Sequence, residues 1–331
     1  MAQAEFRSIA TNGIQLRAAS AGGDGPLLVL VHGFPESWAA WRHQIGPLAA
    51  AGYKVRAIDC RGYGGSDKPH EVEAYDLNSM TRDIAGVIEA EGGGQPAIII
   101  GHDWGAMLVW YTALLFPRHV RAVAALSVPF TGVAEMAFID ALKPVYADRG
   151  LFFYQDYFQQ PGVAEAEAEA DLGRFIRMFY YWLAGEAPEG LGDRRPASSK
   201  LLDGLIDPDP FPAWLPPADI RYLVEEFRRS GLRGPLNRYR NQQRDVEFLK
   251  PWRGQSITQP ALFIAGTRDA VLSMAPGVDL VAAMRAVVPD LRAVHLLPGC
   301  GHWTQQERPA EVTSALLQWL RELDGSLTGA G

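Results

Sequence analysis

Cysteine is nearly absent: Cys60 and Cys300 are the only two among 331 residues. Two thiols supply neither a disulfide framework nor a thiolate metal cluster, so both are expected to be reduced in a cytoplasmic protein. Long apolar runs are missing too. None approaches the roughly 20 residues of a membrane span, and the opening Met-Ala-Gln-Ala-Glu-Phe-Arg lacks an apolar signal core. There is no block of basic residues. With 31 Lys and Arg against 38 Asp and Glu, a net charge of −7 argues against nucleic acid as a partner. The His and Cys spacings form no metal-ligand set, and no cofactor is implied. What is present is ample core material, since 48% of the residues are hydrophobic. That suits one large α/β domain with an insertion, or two modest domains.

Short apolar runs alternate with helical stretches in the first third. Leu27 to Val31, Tyr53 to Ile58, Ala97 to Ile100 and Val120 to Val128 read as strands. Leu77 to Ala90 has helical spacing, with Asp76 or Asn78 as its cap and Gly92 as its stop, and Ala106 to Phe116 is a helix halted by Pro117. The pattern returns at Ala261 to Ala265 and Ala293 to Leu297, and Glu311 to Leu323 closes the chain as an amphipathic helix. Continuous apolar strands alternating with helices indicate a parallel sheet buried on both faces. Residues 131–245 differ, being crowded with aromatics and poor in strand runs. They are expected to form a helical cap over the carboxyl edge of the sheet, where open α/β sheets bind ligands. Residues 1–130 and 246–331 then form the core. Within the cap, Glu165, Glu167 and Glu169 alternate with Ala, a period suggestive of a strand. The helix propensity of both residue types and the preceding Pro161-Gly162 favour a helix start instead.

Gly101-His102-Asp103-Trp104-Gly105 lies between a strand and a helix. It matches the sharp turn G-x-S-x-G that exposes the nucleophile of an α/β-hydrolase, with Asp in place of Ser. The exchange changes the chemistry. A serine must be deprotonated before it attacks, whereas a carboxylate with a pKa near ~4 is ionised at neutral pH. Asp103 is suited to attack an sp³ carbon bearing a strained or good leaving group, giving an enzyme-bound alkyl ester. Hydrolysis of that ester needs a base, and His302 follows the last strand on the loop Gly299-Cys300-Gly301. The base needs an orienting acid, and Asp269 follows the strand before it. The order Asp103, Asp269, His302 is that of nucleophile, acid and histidine in this fold. The loop His32-Gly33-Phe34-Pro35 follows the first strong strand, so the amides of Phe34 and Trp104 are expected to form an oxyanion hole.

His32-Gly-Phe-Pro-Glu-Ser-Trp38, Asp59-Cys-Arg-Gly-Tyr-Gly-Gly-Ser66, Gly101-His-Asp-Trp-Gly105 and Gly301-His-Trp303 together resemble the soluble epoxide hydrolase family. Tyr154-Gln-Asp-Tyr-Phe-Gln-Gln-Pro-Gly162 and Pro235-Leu-Asn-Arg-Tyr-Arg240 carry the resemblance into the cap. It runs from about Gly13 to Leu320 and is closest to single-domain bacterial and plant forms. The resemblance implies an α/β-hydrolase fold: a mostly parallel sheet flanked by helices, with the helical cap inserted after the sixth strand. It implies hydrolysis of a small apolar epoxide by water to a vicinal diol. It also implies that Tyr154 and Tyr239, from the cap, protonate the epoxide oxygen, with Tyr157 close enough to Tyr154 to exchange roles. An alkoxide leaving group needs such a donor, and a phenol with pKa near ~10 fits. Phe34, Trp104, Tyr157 and Trp303 are expected to bind substrate. A haloalkane dehalogenase of the same fold is the alternative, weakened by Phe34 where those enzymes resemble one another in carrying Asn. A non-catalytic receptor on this fold predicts a lost catalytic residue, and none is missing. An exposed cap surface is compatible with a homodimer.

Overall fold

Five successive apolar residues in a strand leave neither face for water, and Leu27–Val31 is buried throughout. Val29 and Val31 pack into one apolar layer and Leu28 and Leu30 into another. The same holds along the central sheet, which is therefore covered by helices on both sides.

The computed structural model describes residues 5–274 and 278–328. Eight strands form one sheet: β1 (Glu5–Thr11), β2 (Ile14–Ala21), β3 (Leu27–Val31), β4 (Lys54–Ile58), β5 (Ala97–His102), β6 (Val120–Leu126), β7 (Ala261–Gly266) and β8 (Leu291–Leu297). Their order is β1-β2-β4-β3-β5-β6-β7-β8. Only β2 runs against its neighbours; every pairing from β4 to β8 is parallel. This is the α/β-hydrolase fold.

The first two strands are an addition to the pattern read from sequence. They form a hairpin turned at Asn12-Gly13, both at positive φ, 44° and 77°, as a tight hairpin turn requires. The helix Leu77–Glu91 starts where Asp76 accepts the Ser79 amide at 2.7 Å, so Asp76 and not Asn78 is its cap.

Among the described residues, every named element between β6 and β7 is helical. The Glu/Ala alternation forms the helix Val163–Ala170, and the aromatic run forms Leu172–Trp182. The boundary expected at 245 falls inside the helix Gln242–Leu249, whose apolar end keeps the segment folded beyond it. Ion pairs join this insertion to the rest of the chain: Arg17 of β2 with Glu226, and Arg42, after the turn Trp38–Trp41, with Asp219 at 2.7 Å. Among the described residues no helix is long and apolar enough to cross a membrane.

Candidate active site

The carboxyl ends of β3, β5, β7 and β8 converge on one point. Asp103 sits on the turn after β5 with φ 53° and ψ −121°, a conformation L-residues seldom adopt and one that persists only where the surroundings enforce it. The flanking glycines show what enforces it. A Cβ on Gly101 would strike the backbone of Gly105, one on Gly105 the carbonyl of Val31, and one on Gly33 the Asp103 side chain itself. Gly33→Ala should therefore displace the carboxylate. A shift of order 1 Å is expected to lower turnover roughly a hundredfold with the fold retained; kcat alongside circular dichroism checks this, and parental kcat would show that Asp103 moves freely.

The two oxygens of Asp103 have different surroundings. Oδ1 accepts the Phe34 amide at 2.8 Å. Oδ2 faces Nε2 of His302 at 3.4 Å. On its far side, Nδ1 of His302 lies 3.1 and 3.0 Å from the oxygens of Asp269. Asp269 is held in turn by the Val271 amide at 2.9 Å, at the start of a short helix. The three residues expected from sequence order are thus brought together.

Burial alone would discharge these groups, and their mutual proximity reverses the outcome. Burial works against the Asp103 carboxylate, but His302, His102 and the Phe34 amide outweigh it and hold its pKa below the usual range. Burial also works against a His302 cation, yet Asp269 and Asp103 on either side raise its pKa well above that of free imidazole. The resting site is an imidazolium between two carboxylates.

Two tyrosines face them. Tyr154 opens the helix Tyr154–Tyr157, and Tyr239 lies on the turn Arg238–Asn241, with ring centres 6.2 Å apart. Both line a cavity of about 550 Å³ together with Asp103, Asp269, His302 and Phe34. Burial, with the Asp103 charge nearby, raises the pKa of each phenol, so both carry their protons at neutral pH. A second, apolar arm of about 290 Å³ begins at the same Asp103, Tyr154 and Tyr239 and continues past Trp104, Met107 and Phe130.

A family model described as the alpha/beta hydrolase fold matches residues 26–309. Epoxide hydrolase A of Mycobacterium tuberculosis (strain ATCC 25618 / H37Rv) is 42% identical over 321 residues, covering 96% of this chain and 98% of that protein. The chain belongs to the epoxide hydrolase family. The solved structure of an epoxide hydrolase from an endophytic Streptomyces superposes with a TM-score of 0.92 at 44% identity, covering 98% and 97% of the two chains. Bifunctional epoxide hydrolase 2 of Sus scrofa is 40% identical over 302 residues, 90% of this chain but 52% of that longer protein.

Two residues expected to bind substrate in this epoxide hydrolase lie elsewhere. Tyr157 lines neither arm; its hydroxyl donates to Glu167 at 2.5 Å and its ring packs on Phe152. Its bond to Glu167 holds it away from the cavity that Tyr154 lines. Trp303 is fully buried behind His302, stacked on Tyr180 at 4.1 Å and donating to the Tyr180 carbonyl at 2.8 Å. It packs the hydrolase interior. Phe34 and Trp104 do line the cavity, one in each arm.

Behind Asp103, Asp269 and His302 lies a buried network that no local sequence pattern announces. Glu36 accepts the Gly33 amide, His102 Nδ1 and the side-chain amides of Gln305 and Gln306, all within 2.8 to 3.0 Å. His102 Nε2 donates to the His302 carbonyl at 2.8 Å, and Ser127 Oγ donates to it at 2.7 Å. Burial opposes the Glu36 charge, but His102 and the Gly33 amide outweigh it and keep its pKa low. Both His102 nitrogens face oxygen acceptors. The pair ties the loop carrying Phe34 to the loop carrying His302. Glu36 and His102 stand within the quoted motifs, but sequence gives no sign that they meet. Among the described residues no group of His, Cys, Asp or Glu is arranged to hold a metal.

Proposed function

We propose that this hydrolase opens epoxides by covalent catalysis on Asp103 and releases vicinal diols. Oδ1 is engaged by the Phe34 amide, leaving Oδ2 to attack an epoxide carbon. As the ring C–O bond breaks, Tyr154 or Tyr239 gives its proton to the departing oxygen. The ester formed removes the Asp103 charge from beside His302, so the imidazolium loses a partner and its proton passes to solvent, to be regained from solvent once Asp103 is charged again. Neutral His302, oriented by Asp269, then takes a proton from water attacking Cγ. Negative charge gathers on Oδ1, where the Phe34 and Trp104 amides stabilise it. His302 returns its proton to the departing diol oxygen, and the proton released as Asp103 is regenerated restores the tyrosinate. The helices from about residue 131 act as the cap that supplies both phenols and excludes water from ring opening.

The observation that carries this reading is the meeting of Asp103 with two protonated phenols in one cavity. A halide departs as a stable anion and has no use for a proton donor, whereas an alkoxide needs one. Styrene oxide and a 1-haloalkane, assayed side by side with Asp103→Ala as control, test it. Diol without halide, lost in the variant, is expected; halide without diol would instead make the chain a dehalogenase.

A further inference from the structure

Arg238 is a buried arginine for which the chemistry above has no use. It is 3% exposed and adjoins the proton donor Tyr239. One guanidinium nitrogen pairs with Asp245, and another donates to the Tyr75 carbonyl at 2.6 Å. Asp245 is itself fixed by the Leu77 amide at 2.7 Å. Two anchors thus hold the guanidinium from the core side, while its Nε has no hydrogen-bond partner. The planar group lies over the ring of Trp104, 4.7 Å from the centroid.

Trp104 joins three structures at once. Its amide follows the nucleophile, its ring meets Tyr239 edge to face at 5.1 Å, and that ring forms a wall of the apolar arm. Only one side of this wall is supported by protein charge. Arg238 lines neither arm, so any effect it has on substrate passes through the indole. An unsupported indole on a cavity wall can turn about its side-chain bonds, which widens or narrows the space beside it. A cation on the ring face in a desolvated setting opposes that motion.

We propose that Arg238, anchored by Asp245, is a positioning residue that fixes Trp104 and so determines which epoxide substituents the apolar arm admits. The proposal rests on the epoxide reading of the cavity. Its test compares trans-stilbene oxide, whose two phenyl groups oblige one to enter each arm, with propylene oxide, whose methyl group barely occupies either. In Arg238→Met the ratio of kcat/KM for the large oxide over the small one is expected to fall roughly tenfold, through KM, as befits loss of one desolvated cation–π contact. Arg238→Lys retains a cation over the ring and is expected to recover part of that ratio. Equal losses on both oxides, a loss confined to kcat, or Lys as poor as Met would overturn the proposal.

Removing one partner leaves Asp245 charged and alone, which endangers folding. The double variant Arg238→Met with Asp245→Asn removes both charges and is measured in parallel. Titration of the same oxides into Asp103→Ala, with and without Arg238→Met, reads the wall without turnover. A parent that hydrolyses neither oxide would fail the epoxide reading, while the ratio of Kd values still decides the role of Arg238.

Discussion

Replacing His302 by Gln leaves an enzyme that reacts once and stops. Asp103 keeps its strained turn and the Phe34 amide, both supplied by backbone, so ring opening proceeds and the alkyl ester forms. Nothing remains to take the proton of the attacking water. Turnover is expected to fall by roughly 10⁴-fold or more, in keeping with loss of a triad base. Intact-mass spectrometry after mixing with styrene oxide is expected to show the protein heavier by one substrate molecule. Loss of activity without the adduct would refute the two-step route. The parent carries a matching pH signature. In the free enzyme two carboxylates hold His302 protonated, its pKa raised; esterification removes one of them, and the pKa falls. Rapid-mixing experiments should therefore show ester hydrolysis accelerating as pH rises through that lowered value, while ester formation stays level.

Replacing Tyr154 and Tyr239 together by Phe should nearly eliminate the earlier step instead. Each variant retains its ring, and Tyr239 keeps its packing against Phe34 and Phe158, with ring centres 5.4 and 5.0 Å away. Apart from the Gln155 amide that Tyr154 accepts at 2.9 Å, the double variant removes proton donation, worth about 10²- to 10⁴-fold for a positioned acid. Either single change leaves a second phenol 6.2 Å away by ring centre, so a smaller loss is expected from each. In the His302→Gln background the double variant should form the adduct about 10²- to 10⁴-fold more slowly. An adduct formed there at the parental rate would remove both tyrosines from the chemistry. The two experiments together separate the halves of the cycle, since one blocks ester formation and the other ester release.

The parts legible in sequence are those where chemistry or geometry confines residue type. The strands β3, β5 and β7 are apolar because both faces are buried. The elbow announces itself because Gly101 and Gly105 leave no room for a side chain. Asp269 and His302 are recognisable by chain order. Where one face meets water the signal weakens. The strand β1 is exposed at Glu5, Phe6, Arg7 and Ser8, and its apolar pattern is too thin to register, although Asn12-Gly13 marks the turn. Side-chain direction is the other loss. Tyr154 and Tyr157 share a helix and an aromatic setting, and only packing shows that Glu167 claims one of them. Glu36 and His102 meet across 66 positions of sequence, which no local pattern records. Trp303, beside the base, is equally plausible as wall or filler until Tyr180 is found stacked on it.

The amide of Phe34 on Oδ1 has a consequence for where atoms travel. If Oδ1 stays in its cradle through both steps, the oxygen that bonds to the substrate is always Oδ2, and the water that frees the product enters at the place Oδ2 has left. Each diol then departs with an oxygen that entered the protein in an earlier cycle, and the water consumed in the present one stays behind as part of Asp103. On the proposed route the carboxylate is rebuilt at every turnover from solvent, and the enzyme holds, in one atom, a record of the reaction before.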